Sequence, residues 1–151
     1  MIHLKNILYP TDFSSYSNQA YFHAVTLAEN HQASLTVLFV HTPDLKSPGG
    51  QPSLQYWREQ LEQIRPLNPS ISVRHVFLEG DPASEIVRYT RDSGIDLVVM
   101  GTHGRTGVER LLMGSVAEKV LRDAPCSVLI VKLPRGAAAG VKADVEVSTK
   151  H

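Results

Sequence analysis

The sequence predicts an α/β fold: a single doubly wound parallel sheet of five strands with helices on both faces. Three observations lead there. Apolar runs alternate with helix-period segments as β-α-β-α-β-α-β-α-β along the 151 residues, the order that builds a parallel sheet. Four of the five runs are almost continuously apolar, as strands covered on both faces are. The length suits one domain with one substantial core.

The elements follow in order. Ile7-Leu8-Tyr9 is the first strand, ended by Pro10. Ala20, Ala24, Leu27 and Ala28 line one face of the first helix. Leu35 to Val40 is the second strand, and His41 to Pro52, with three prolines and two glycines, is a loop. Leu54, Trp57, Leu61 and Ile64 mark the second helix, which Pro66 stops. Ile71 to Leu78 is the third strand; Ser72 and Arg74 alternate with apolar neighbours there, which predicts an edge position or one wet face.

Asp81-Pro82 opens the third helix as an N-cap followed by proline at the first helical position. Ala83, Ile86, Val87 and Thr90 form its inner face. Ile95 to Met100 is the fourth strand. Val116, Ala117, Val120, Leu121 and Ala124 form the stripe of the fourth helix, and Ser115 and Glu118 have capping-box spacing at its start. Val128 to Val131 is the fifth strand. Crossovers are expected to be right-handed. Residues 1–133 form the domain, and 134–151 are expected to be a tail, mobile or bound to a partner.

Fifteen basic residues balance fifteen acidic ones, so no charge excess points to nucleic acid or an anionic membrane. No run of about 18 apolar residues exists, and the N-terminus lacks the apolar stretch of a signal peptide. A cytoplasmic protein is expected. Cys126 is the only cysteine, so no internal disulfide forms; its place before the last strand predicts a packed core thiol.

The chemistry concentrates after the fourth strand, from Gly101 to Ser115. Gly101 and Gly104 lack a Cβ and permit close approach to a ligand. Gly114-Ser115 begins a helix, where free N–H groups and the dipole favour an anion. Arg105 and Arg110 offer charge-assisted contacts to phosphate. The stretch is neither a G-x-x-x-x-G-K-[ST] loop nor a G-x-G-x-x-G dinucleotide turn.

Gly101, two residues, Gly104, nine residues and then Gly114-Ser115 resembles the G-2x-G-9x-G-[ST] nucleotide motif of universal stress proteins. Four further blocks are similar to that family in the same order: Ile7 to Ser14, Gly80-Asp81-Pro82, Asp96 to Met100, and Ala124 to Leu129. The similarity spans roughly residues 3–133.

The resemblance implies the adenine nucleotide alpha hydrolase-like sheet order 3-2-1-4-5. In that order the winding reverses between strands one and four, and ligands bind at the carboxyl ends beside such a switch point. The loop holding Thr11-Asp12 then faces the glycine loop. The resemblance further implies ATP as ligand, with Asp12 and the Val40 backbone at the adenosine. Gly101, Gly104, Gly114, Ser115 and Val116 would surround the phosphates, and Pro10, Thr11, Met100, His103 and Arg105 complete the set. Magnesium or manganese would be held mainly by the phosphates, with no dedicated metal ligands.

Structural roles compete at several positions. Ser115 is also expected as an N-cap, Asp12 as a helix cap, and His103 as an ordinary loop residue. The apolar fifth strand, at a sheet edge, invites pairing with the same strand of a second copy; the tail after Leu133 could cover it instead. The expected function is an ATP-dependent regulator in the stress response, acting through a protein partner. A slow ATPase or phosphotransferase and a nucleotide-independent dimeric module remain as alternatives.

Overall fold

A computed structural model describes residues 3–45, 49–50, 54–102 and 113–132. Five strands, β1 (Asn6–Pro10), β2 (Ser34–His41), β3 (Val73–Glu79), β4 (Leu97–Gly101) and β5 (Ser127–Val131), form one sheet in the order β3-β2-β1-β4-β5. Every pairing is parallel. Four helices connect them: α1 (Ser15–His31), α2 (Leu54–Glu62), α3 (Pro82–Asp92) and α4 (Ser115–Asp123).

Side chains alternate between two cores, one on each face of the sheet. Ile7, Tyr9, Val37, Phe39 and Val99 pack towards α1 and α2. Leu8, Leu38, Val40, Val98 and Met100 pack towards α3 and α4. This is why β1, β2 and β4 read as unbroken apolar runs: both faces need hydrocarbon. The two edges differ. β3 is only half-buried along most of its length, which explains Arg74 within it. β5 alternates exposed and half-buried residues until Val131.

Alanines on α1 let the helix lie close to the sheet, with Ala20, Ala24 and Ala28 fully buried. Its N-cap is Ser14, whose hydroxyl accepts from the Ser17 N–H at 3.3 Å. α3 is capped as its sequence predicts, by the Asp81 carboxylate accepting from the Ser84 N–H at 3.0 Å. The Ser84 N–H and hydroxyl, with nearby Lys119, hold the Asp81 carboxyl below its usual range. Lys119, midway along α4, donates to the Ser84 hydroxyl at 2.9 Å, tying α4 to the start of α3.

Several local expectations need correction. Ser115 is not the N-cap of α4; Gly114 is, and it has no side chain with which to cap. Asp12 does not cap α1, because Ser14 already does. The carboxylate of Asp12 instead accepts from the Ser14 N–H at 2.9 Å, two residues on. Leu121 and Leu54 leave their predicted stripes and are 46% and 39% exposed. Each stripe is narrower than its apolar pattern, since these short helices turn only part of their circumference to the sheet. α2 ends at Glu62, before Pro66, and Ile64 reaches the core from the tighter turn that follows.

β3 and β4 each start two residues later than their apolar runs. For β4 the reason is Asp96. Its N–H donates to the Asn6 carbonyl at 2.9 Å, and its carboxylate accepts from the Lys5 and Asn6 N–H groups at 2.8 and 2.9 Å. This latch aligns the entry of β4 with that of β1. Hydrogen bonds to a charged group are worth about 1.5–3 kcal/mol each. Asp96→Ala is therefore expected to lower unfolding free energy by about 2–3 kcal/mol, read from the denaturant midpoint. A loss below about 0.5 kcal/mol would remove the latch from the account.

Candidate functional site

β1 is hydrogen-bonded to β2 on one side and β4 on the other, so the winding reverses between β1 and β4. At the carboxyl ends of these strands lies a crevice of about 250 Å³. Each wall comes from one element. The end of β1 and the turn after it supply Pro10, Thr11 and Asp12. The end of β2 supplies Val40, and Thr42 follows it. β4 supplies Met100 and Gly101, and the start of α4 supplies Gly114, Ser115 and Val116. All the described residues predicted for the site thus line one crevice. His103, Gly104 and Arg105, together with Arg110, lie outside the described residues.

The turn after β1 is built by its own polar atoms. The Thr11 N–H donates to the Leu38 carbonyl at 2.8 Å, continuing the ladder one residue past β1. The Thr11 hydroxyl accepts from the Phe13 N–H at 3.0 Å and lies 3.2 Å from the Ser17 hydroxyl. Phe13 has φ of +66°, a left-handed conformation that is uncommon for a bulky residue. Its ring holds that backbone in place, lying 4.8 Å from Phe39 and 5.6 Å from Trp57, centroid to centroid. The aromatic core thus sets the direction in which Asp12 leaves the sheet.

Across the crevice, the Gly114 N–H donates to the Thr102 carbonyl at 2.6 Å. Thr102 and Gly114 are therefore held together beside β4. The N-terminus of α4 differs from those of α1 and α3. Ser14 and Asp81 supply side-chain acceptors to those helices, whereas Gly114 supplies none. Among the described residues no side chain caps the N–H groups of the first turn of α4, which opens on the crevice with the positive end of its dipole inward. An anion fits that end of the site.

Sequence reasoning missed part of the lining. Ser17, Pro82 and Ile86 also face the crevice. From the sequence Pro82 reads only as the first helical residue after the Asp81 cap, and Ile86 only as a core position. One signal was available: in a parallel sheet each helix starts at the carboxyl end of a strand, so the first turn of α3 shares the side of the crevice. Tyr9 supports the site from below. Its hydroxyl donates to the Ser17 carbonyl at 2.8 Å, and burial pushes its phenol up to about 12.

The sequence profile of the universal stress protein family matches residues 3–132. The chain belongs to the universal stress protein family. A universal stress protein of Methanocaldococcus jannaschii is 36% identical over 144 residues, covering 87% of this chain and 84% of the relative. Another, from Methanothermobacter thermautotrophicus, is 34% identical, covering 85% and 95%. Among solved structures, the hypothetical protein MJ0577 superposes with a TM-score of 0.78 at 29% identity, covering 89% of this chain and all of that one. A universal stress protein solved in complex with cAMP shares the fold at 21% identity, with a TM-score of 0.63 over 87% and 99% of the two chains. One from Archaeoglobus fulgidus in complex with dAMP does so at 19%, with a TM-score of 0.59 over 87% and 100%. No described helix of this universal stress protein is long and apolar enough to cross a membrane.

Proposed function

We propose that this universal stress protein binds ATP in the crevice between β1 and β4 and acts in the cytoplasm as a nucleotide-dependent regulator of the stress response. The observation that carries the reading is the uncapped start of α4 facing Asp12 across a switch-point crevice. Asp12 and the Val40 backbone hold the adenosine end, where a carboxylate meets ribose hydroxyls rather than phosphate charge. Pro10, Thr11 and Met100 form the walls. Gly101, Gly114, Ser115 and Val116 receive the phosphates, joined by His103, Gly104 and Arg105 from the segment between. The complexes of family members with cAMP and dAMP support an adenine nucleotide as the class of ligand.

Among the described residues no three His, Cys, Asp or Glu side chains gather into a metal site. A magnesium or manganese ion would rest mainly on the phosphates, screening charge that the crevice only partly neutralises. Holding a triphosphate requires donors and close approach, and the crevice offers both. The exposed edge of β5, with Leu129 36% exposed, favours pairing with a second copy as the output surface.

Calorimetric titration of the full chain with ATP, with and without magnesium, tests the reading. Saturable binding at micromolar concentration, strengthened by the metal, is expected. No binding below about 1 mM would overturn it.

A further inference from the structure

A second cavity lies on the opposite face of the molecule's central strand, between α1 and the segment leaving α2. It is an open cleft of about 330 Å³. Tyr21 gives it aromatic surface above the fully buried Tyr9, and Phe22 stands at its side with 64% of its area exposed. Asn18 and Gln63 add amides, and Arg65 adds a guanidinium.

We propose that this cleft is a binding site for a small aromatic carboxylate. Two features select that chemistry. The rings of Tyr21 and Phe22 lie side by side, with centroids 5.7 Å apart, and offer surface to the face or edge of a planar ring. Arg65 is the only ionised side chain among the described residues lining the cleft, and no carboxylate among the described residues is paired with it. A guanidinium with aromatic neighbours selects an anion with a planar body and disfavours a cation, which tyrosines alone would accept.

The wall carrying Arg65 is fixed. The Ile64 N–H donates to the Leu61 carbonyl at 3.1 Å, and His75 Nε2–H donates to the Ile64 carbonyl at 2.8 Å. The cleft is separate from the nucleotide crevice. Tyr9 stands between them, its ring buried beneath the cleft and its hydroxyl bonded to the carbonyl of Ser17, which lines the crevice.

The test is a titration of the full chain, without nucleotide, with naphthoate, followed by the NMR signals of the Asn18 and Gln63 side-chain amides. Saturable shifts with a Kd of about 0.1–1 mM are expected. Naphthamide, which keeps the rings and loses the charge, should bind at least about tenfold more weakly. Arg65→Gln and Phe22→Ala, both on exposed side chains, should each weaken naphthoate by a similar factor. No saturation up to about 10 mM, equal binding of naphthamide, or unchanged affinity in both variants would overturn the proposal. Displacement of naphthoate by ATP would also overturn it, by moving the probe to the crevice. Because the titration omits nucleotide, its failure leaves the ATP reading untouched, and failure to bind ATP leaves this site standing.

Discussion

Gly114→Asp is expected to weaken ATP binding by at least about 100-fold while leaving the protein as stable as before or slightly more so. The two effects have opposite signs because they arise from the same atoms. Gly114 is the N-cap of α4 and lacks a side-chain acceptor. An aspartate there would accept from the first-turn N–H groups and complement the helix dipole, worth about 0.3–1 kcal/mol to folding. That carboxylate would then occupy the end of the crevice assigned to phosphate. A like charge at about 4 Å costs about 4 kcal/mol at an intermediate dielectric, well above the roughly 2.7 kcal/mol of a 100-fold loss. Calorimetry for ATP and a denaturant melt of the same sample read both halves. Binding that survives with added stability would mean the α4 start does not hold phosphate. A loss of both binding and stability would point to a packing fault instead.

Tyr9→Phe is expected to cost about 1 kcal/mol at neutral pH yet to become the more stable form above about pH 11. Removing the hydroxyl deletes its bond to the Ser17 carbonyl, a typical net loss for one buried hydrogen bond. The alkaline behaviour has the other sign. Burial raises the Tyr9 phenol to about 12 in the folded protein, against about 10 in an unfolded chain. Below pH 10 both states keep the proton and no stability depends on it. Between about 10 and 12 the unfolded chain ionises while the folded one does not, so stability drains away as pH rises. The loss reaches about 2 kcal/mol by the folded pKa, at 1.36 kcal/mol per unit. Phenylalanine carries no such term, so the difference between the two forms should cross zero. Urea midpoints of both proteins from pH 8 to 12 measure it; parallel curves would show that Tyr9 does not titrate from a buried state. The comparison matters for function because the same hydroxyl supports Ser17 beneath the crevice.

Much of this protein can be read from the order of its residues. Strand and helix alternation is local: continuous apolar runs such as Leu35 to Val40 and periodic sets such as Ala83, Ile86 and Val87 record how each segment is buried. The cap of α3 is equally local, since Asp81-Pro82 must fit a helix start whatever surrounds it. The sheet order follows from family likeness, and the switch-point crevice follows from that order, bringing Thr11-Asp12 opposite Gly101 and Gly114.

Other features depend on neighbours distant in the chain. Phe13 adopts a left-handed backbone because Phe39 and Trp57 enclose its ring, and no local pattern announces that. Asp96, near the start of an apolar run, is a latch because Lys5 and Asn6 arrive beside it from 91 and 90 residues away. Pro82 and Ile86 join the crevice only because α3 packs beside α4. Gly114 replaces Ser115 as the cap because the Gly114 N–H is drawn to the Thr102 carbonyl, which sets where α4 begins. The sequence by itself determined which segments are strands and helices and which loops carry the chemistry, because backbone preference and hydrophobic period act within a few residues. Only the tertiary structure decided how Asp12 is aimed and where the uncapped start of α4 opens, because those depend on contacts that exist only once the sheet has closed around them.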